Sequence, residues 1–231
     1  MQSVPVEIFA TKGTEYLVVV AYLVALVGFW RLLTRASPRA ATAAAERSAQ
    51  EVIRGWFEVP ESLYFHPAHT WAQTNGDDVV TIGADAFATK LIGRPDVIDL
   101  PRPGTRLRQG EPAWRFEADA RAIPMLSPVD GEVVEVNEEI VRRPELVSLD
   151  PYEQGWLLRV RLAKSRRALG SLLDGELARM WMDRTVENLR QMQAGALGVV
   201  MPDGGVPVDG FARALAPDRW DEIARQMLLS D

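Results

Sequence analysis

The sequence predicts a mainly β protein, a sandwich or flattened barrel with an N-terminal transmembrane helix and C-terminal helices. Three observations carry that expectation. Four short runs rich in branched residues lie between residues 79 and 162, cut apart by turns bearing Gly or Pro. Tyr16 to Trp30 is an unbroken uncharged run. After Ser165, apolar residues recur near helical spacing.

Residues 1–15 read as a short extracytoplasmic tail and 16–34 as one membrane-spanning helix. Such a helix needs roughly 17–25 apolar residues, and this run is near the short end. Arg31 extends it by snorkelling, and Tyr16 and Trp30 suit the two interfaces. A signal peptide would carry its positive charge before the run and a small-residue cleavage site soon after it. Here Glu7 and Glu15 flank Lys12, and the stretch Ala40 to Ala45 comes late. A buried core helix would show a polar face, and this run has none. Arg31, Arg35, Arg39 and Arg47 follow the run, which places the carboxyl side in the cytoplasm and the N-terminus outside. The expectation is a single-pass protein of the inner, cytoplasmic membrane with its main domain cytoplasmic.

Residues 35–58 form a connector. Ser37-Pro38 breaks the chain, and Ala40 to Phe57 has the composition of a helix. Val52, Ile53, Trp56 and Phe57 fall on one side, so its end is expected to pack on the next domain. That domain, 59–164, holds the strand-like runs Val79–Ile82, Val97–Leu100, Gly131–Val136 and Trp156–Leu162. A short helix is expected at Asp85–Leu91, and turns at Asn75-Gly76, Pro103-Gly104, Gln109-Gly110 and Asp130-Gly131. Residues 165–231 form a helical extension and tail. Leu169, Leu172, Leu173, Leu177, Met180, Trp181 and Leu189 imply one or two amphipathic helices. A turn-rich stretch at 202–210 precedes a helix from about Pro217 to Leu229, with Trp220, Ile223, Met227 and Leu228 on its apolar face.

Composition excludes several functions. Cysteine is absent, which removes disulfides, thiol catalysis and cysteine-ligated metal or iron–sulfur sites. A net charge of −6 argues against general nucleic-acid binding. His66 and His69 are the only histidines, and Pro67 between them disfavours a helix, so a packing role outweighs a metal site. Gly204-Gly205 lacks the strand-before, helix-after context of a phosphate loop.

From Val59 to about Leu162 a series of motifs runs in order: Val59 to Tyr64, His69-Thr70-Trp71, Thr81-Ile82-Gly83, Leu100 to Gly104, Ser127 to Asn137, and Asp150 to Leu157. In these the chain resembles the H protein of the glycine cleavage system, a lipoyl carrier. The resemblance implies the barrel-sandwich hybrid of lipoyl and biotinyl domains. It also implies a hairpin tip at Glu117-Ala118-Asp119-Ala120-Arg121, where the family reads Glu-Ser-Val-Lys-Ala. Ala120 thus falls at the lipoyl-lysine position, and the lysine is missing. Amide attachment needs a primary amine; Ala120 has none, and the delocalised guanidinium of Arg121 is a poor acyl acceptor. The three lysines of the chain, Lys12, Lys90 and Lys164, lack the flanking pattern of an attachment site. Glu117 and Asp119 beside the tip are read as solvated, Glu117 as inherited from the family motif, with Arg121 completing a mixed-charge docking surface.

No cofactor, metal or catalytic residue is expected. The expected role is a non-catalytic, membrane-anchored docking or assembly module. Its expected partners are other subunits of a membrane complex, with a redox or respiratory complex as the natural setting. Met192, Met201, Trp220 and Met227 are the candidate partner contacts, because the extension looks too small to bury them alone. The alternative is a lipoyl carrier of a glycine cleavage-type system that uses a non-standard attachment site.

Overall fold

A computed structural model describes residues 8–34, 56–76, 78–163, 169–192 and 207–229, with side chains of the first helix described from 15 to 31. The chain divides into two compact units, Met1–Glu51 and Val52–Asp231. The first contains helix α1, Ile8–Thr34. Its side chains from Glu15 to Arg31 are all exposed, with apolar groups around the whole circumference rather than on one face. Among the described residues, no helix is long and apolar enough to cross a membrane. The expected transmembrane segment therefore gains no support from that criterion. The connector helix expected over 40–57 lies outside the described residues, apart from Trp56 and Phe57, which are buried as expected.

Among the described residues, the second unit is built on nine strands: β1 Tyr64–His66, β2 Thr70–Thr74, β3 Val79–Ala84, β4 Val97–Asp99, β5 Arg106–Leu107, β6 Pro112–Ala118, β7 Arg121–Leu126, β8 Gly131–Val136 and β9 Leu158–Leu162. Six form one sheet in the order β1-β2-β3-β9-β8-β5; three form another, β4-β6-β7. Every pairing is antiparallel. Alternate residues of β6 and β7, Trp114, Phe116, Ile123 and Met125, share one core with Ile82, Val133 and Val160 of the larger sheet. That alternation is the period-2 burial of a two-layer β fold. The mainly β expectation holds, and the run at Gly131–Val136 has its predicted bounds.

β7 is an edge strand, the position in a sheet where Pro124 can be accommodated without losing a central ladder bond. Short helices join the strands: α2 Ala86–Ile92, α3 Glu138–Arg142 and α4 Leu146–Leu149. Asp85 caps α2 by accepting from Ala88 N, and Asn137 caps α3 by accepting from Glu139 N. α2 ends at Gly93 with φ +76°, a conformation that favours glycine.

The C-terminal region adds α5 Gly175–Met192, α6 Phe211–Leu215 and α7 Trp220–Leu228. The apolar face of α5 differs from the expected one. Ala178, Met182, Val186 and Leu189 are buried, whereas Leu177 is 61% and Met180 55% exposed. A short helix, α6, lies between the expected turn-rich stretch at 202–210 and α7, where no element was expected, and it delivers Phe211 into the core. Trp220 is 2% exposed and belongs to the main core, so the expectation that it faces a partner is wrong. Met227 is half-buried and packs against the same core. The side chain of Met192, and Met201 altogether, lie outside the described residues.

Candidate functional site

The tip between β6 and β7 is a two-residue turn. Ala118 pairs with Arg121, leaving Asp119 and Ala120 as the central residues, with φ +50° and +59°. Positive φ at both positions is what a tight turn matching strand twist requires. Asp tolerates that region; alanine does so at a cost of roughly 1 kcal/mol relative to glycine. Asp96, just before β4, holds the tip from the side by accepting from Asp119 N at 3.0 Å.

Ala120, the residue that the resemblance sets at the attachment position, is exposed and ends in a methyl group. Its two neighbours are engaged by the C-terminal tail. Arg121 donates to the Asp221 carboxylate and, at 2.8 Å, to Asp218 O. Arg213 donates to the Asp119 carboxylate. Arg225 completes the array by donating to Ala122 O at 2.9 Å and pairing with Asp221 at 3.1 Å. The Trp220 ring lies beneath this charge layer, with the Arg213 guanidinium 4.2 Å from its centroid and that of Arg121 at 6.0 Å.

Asp221 shows the electrostatics of the array. Partial burial by itself would raise its pKa; the hydrogen bond and charge of Arg121, with help from Arg225, outweigh that and hold it below the ordinary value of 3.8. Glu117, the other acidic residue of the expected tip, sits one strand residue back, paired across to Ala122 and Val97. Lys90, the lysine whose side chain falls among the described residues, pairs with Asp209 at 3.0 Å.

Away from the tip, the motif residues form a second, largely buried structural network. His69 Nδ1 bonds the Asp85 carboxylate at 2.8 Å, and the ring stacks on Phe87 at 4.2 Å. Trp71 Nε1 donates to Ala84 O and to Pro151 O at 3.0 and 3.1 Å. Tyr152 donates to Glu58 O and accepts from Ala86 N at 3.0 Å. Burial, reinforced by nearby Asp85, pushes its pKa well above 10. His66 accepts from Ala68 N. Among the described residues, no group of three or more potential metal ligands comes together.

Arg213, Asp221 and Arg225 carry no signal that singles them out in the sequence. The Asp221–Arg225 spacing is a readable i, i+4 pair, but nothing local announces a partner 100 residues upstream.

Comparison with known proteins adds an independent line. The family model described as "Glycine cleavage H-protein" matches residues 63–184. The "Glycine cleavage system H protein" of Vibrio atlanticus is 36% identical over 115 residues, covering 50% of this chain and 90% of the relative. That of Vibrio parahaemolyticus is 39% identical over 116 residues, covering 50% and 91%. That of Rubrobacter xylanophilus is 39% identical over 107 residues, covering 46% and 84%. A crystal structure of a glycine cleavage system H protein from Mycobacterium marinum aligns with a TM-score of 0.46 at 26% identity, over 52% of this chain and 95% of that one. The motifs, the family match and the three sequence relatives agree: the chain belongs to the glycine cleavage H-protein family.

Proposed function

We propose that the protein is a non-catalytic docking module: an H-protein body that works through its surfaces and carries no lipoyl group. The observation that carries the reading is the tip itself. A turn of the right geometry to present an amine ends in Ala120, and the flanking Asp119 and Arg121 are held in ion pairs. Without a nucleophilic nitrogen there is no amide to form, and without the arm there is no acyl shuttling. Intact mass of the protein from its native source is the test. An unmodified mass is expected; a lipoyl increment on any lysine would end the proposal.

A second reading has one observation in its favour. The relatives are named as glycine cleavage H proteins, and the match spans nearly their whole length. On that reading the chain carries lipoate at a non-standard lysine. Lys90 is a poor choice, since its side chain is only 26% exposed and paired with Asp209.

Membrane attachment through α1 belongs to the same proposal. A helix whose apolar side chains face outward all round, from Tyr16 to Trp30, is costly to leave in water. The arginines after it favour a body on the cytoplasmic side. Partners would then be subunits of a membrane complex; the respiratory or redox setting has no residue behind it. Alkaline carbonate washing of native membranes should leave the protein in the pellet, and release into the supernatant would remove the anchor. Mild-detergent purification should bring partner subunits with it.

A further inference from the structure

We infer that residues 207–229 are a built-in occupant of the hairpin-tip face, closing it to any enzyme that would approach residue 120. This is independent of what the rest of the body docks to, and it treats the absent amine and the added tail as two parts of one closure.

Three separate features seat the tail. Its apolar side is built into the core of the body: Phe211, Trp220, Ala224 and Leu228 are essentially inaccessible, and Phe211 packs 5.8 Å from Phe87 of α2. Its polar side is opposite in sign to the tip, with Arg213 on Asp119 and Asp221 on Arg121. Opposite charges thus meet on both sides of Ala120, which fixes the direction in which α6 and α7 cross the turn. Its entry point is a backbone contact. Gly210 N donates to Lys90 O at 2.8 Å, and a Cβ added at Gly93 would lie 2.7 Å from Gly210 N. The tail also covers the open edge of β7, where Arg225 takes up Ala122 O.

A small reagent can still reach residue 120, which is exposed. An enzyme that must envelop the hairpin cannot, because α6 and α7 stand against both flanks. Transfer of lipoate to a lysine here would require ATP to activate the lipoate carboxyl as an acyl-adenylate, with pyrophosphate leaving. The lysine nitrogen would then attack the acyl carbon, forming the amide, expelling AMP and giving a proton to solvent.

The test uses the full chain in detergent. Ala120→Lys restores the amine; Arg213→Asp with Asp221→Arg, added to it, turns both tail contacts repulsive without altering the tip. Both proteins are incubated with lipoate ligase, ATP and lipoate, and followed by intact mass. A small acetylating ester should label the introduced amine at similar rates in the two, which shows it to be present and reactive. The expected result is ligation at least tenfold faster in the charge-reversed protein. Equal ligation of the two would overturn the inference. Amide hydrogen exchange on the protein without Ala120→Lys decides the case in which the ligase modifies neither. Protection over 207–229 that collapses on charge reversal, while that over 131–162 is retained, supports the closure. A tail that exchanges freely in the unaltered protein overturns it.

Discussion

Two regions of the H-protein body are held by different physics. Around His69, Trp71 and Tyr152, side-chain and backbone groups make hydrogen bonds that are buried at His69 and Trp71 and partly buried at Tyr152, beside stacked rings. Around Ala120, charged pairs sit over one buried tryptophan, and several of the participating side chains are partly exposed. The first arrangement resists solvent and salt. The second is weaker, reversible and directional. The lesson is that one fold combines a region built on packed rings and hydrogen bonds with a region built on exposed ion pairs.

The comparison can be broken most severely at the ring-packed region. Trp71→Ala removes a fully buried indole and its two hydrogen bonds, and should cost about 3–5 kcal/mol in a urea titration. Tyr152→Phe keeps the ring but strips the partner from Ala86 N and Glu58 O. A loss of about 1–2 kcal/mol is expected, unaffected by adding salt.

At the tip the effects shrink and become ionic. Arg121→Ala should cost about 1 kcal/mol or less, with a difference from the parent that narrows as sodium chloride is raised, and with lost exchange protection confined to α7. Ala120→Gly has the opposite sign. Relief of positive φ should stabilise the protein by at most about 1 kcal/mol in the same titration. The pH response follows from Asp221. Its folded pKa is lowered, so its contribution is complete above the ordinary value of 3.8 and is lost as pH falls through the folded value. Fluorescence of the seven tryptophans cannot isolate Trp220, so exchange of the α7 amides, followed from mildly acidic pH down past the ordinary value of 3.8, is the measurement. Protection should fade only in the most acidic part of that range.

Much of the body was legible because its strands follow branched-residue runs and Gly-bearing turns, as at Val79–Ala84 and Gly131–Val136. The hairpin β6–β7 was reachable only by resemblance. Pro112 and Pro124 disguise its strands, and an Asp-Ala turn lacks the glycine that usually announces one. α2 could be read from Asp85 and the apolar residues behind it, and α7 from its amphipathic pattern. What the pattern of α7 could not supply was its counterpart. Trp220 looked unpartnered because the surface that buries it is distant in sequence. The stripe on α5 misled for a related reason: Leu177 and Met180 share a helical period with buried residues but fall on the outer side. Periodicity names a face without naming what it meets.

Gly93 meets Gly210 backbone to backbone, with no room for a carbon atom between them. One methyl group introduced at residue 93 would therefore press on Gly210 and the start of α6 without removing or adding any charged side chain. The seat of the tail thus depends on a single missing atom as well as on its ion pairs, and cells carrying such a variant would reveal what the organism loses when the hairpin is left uncovered.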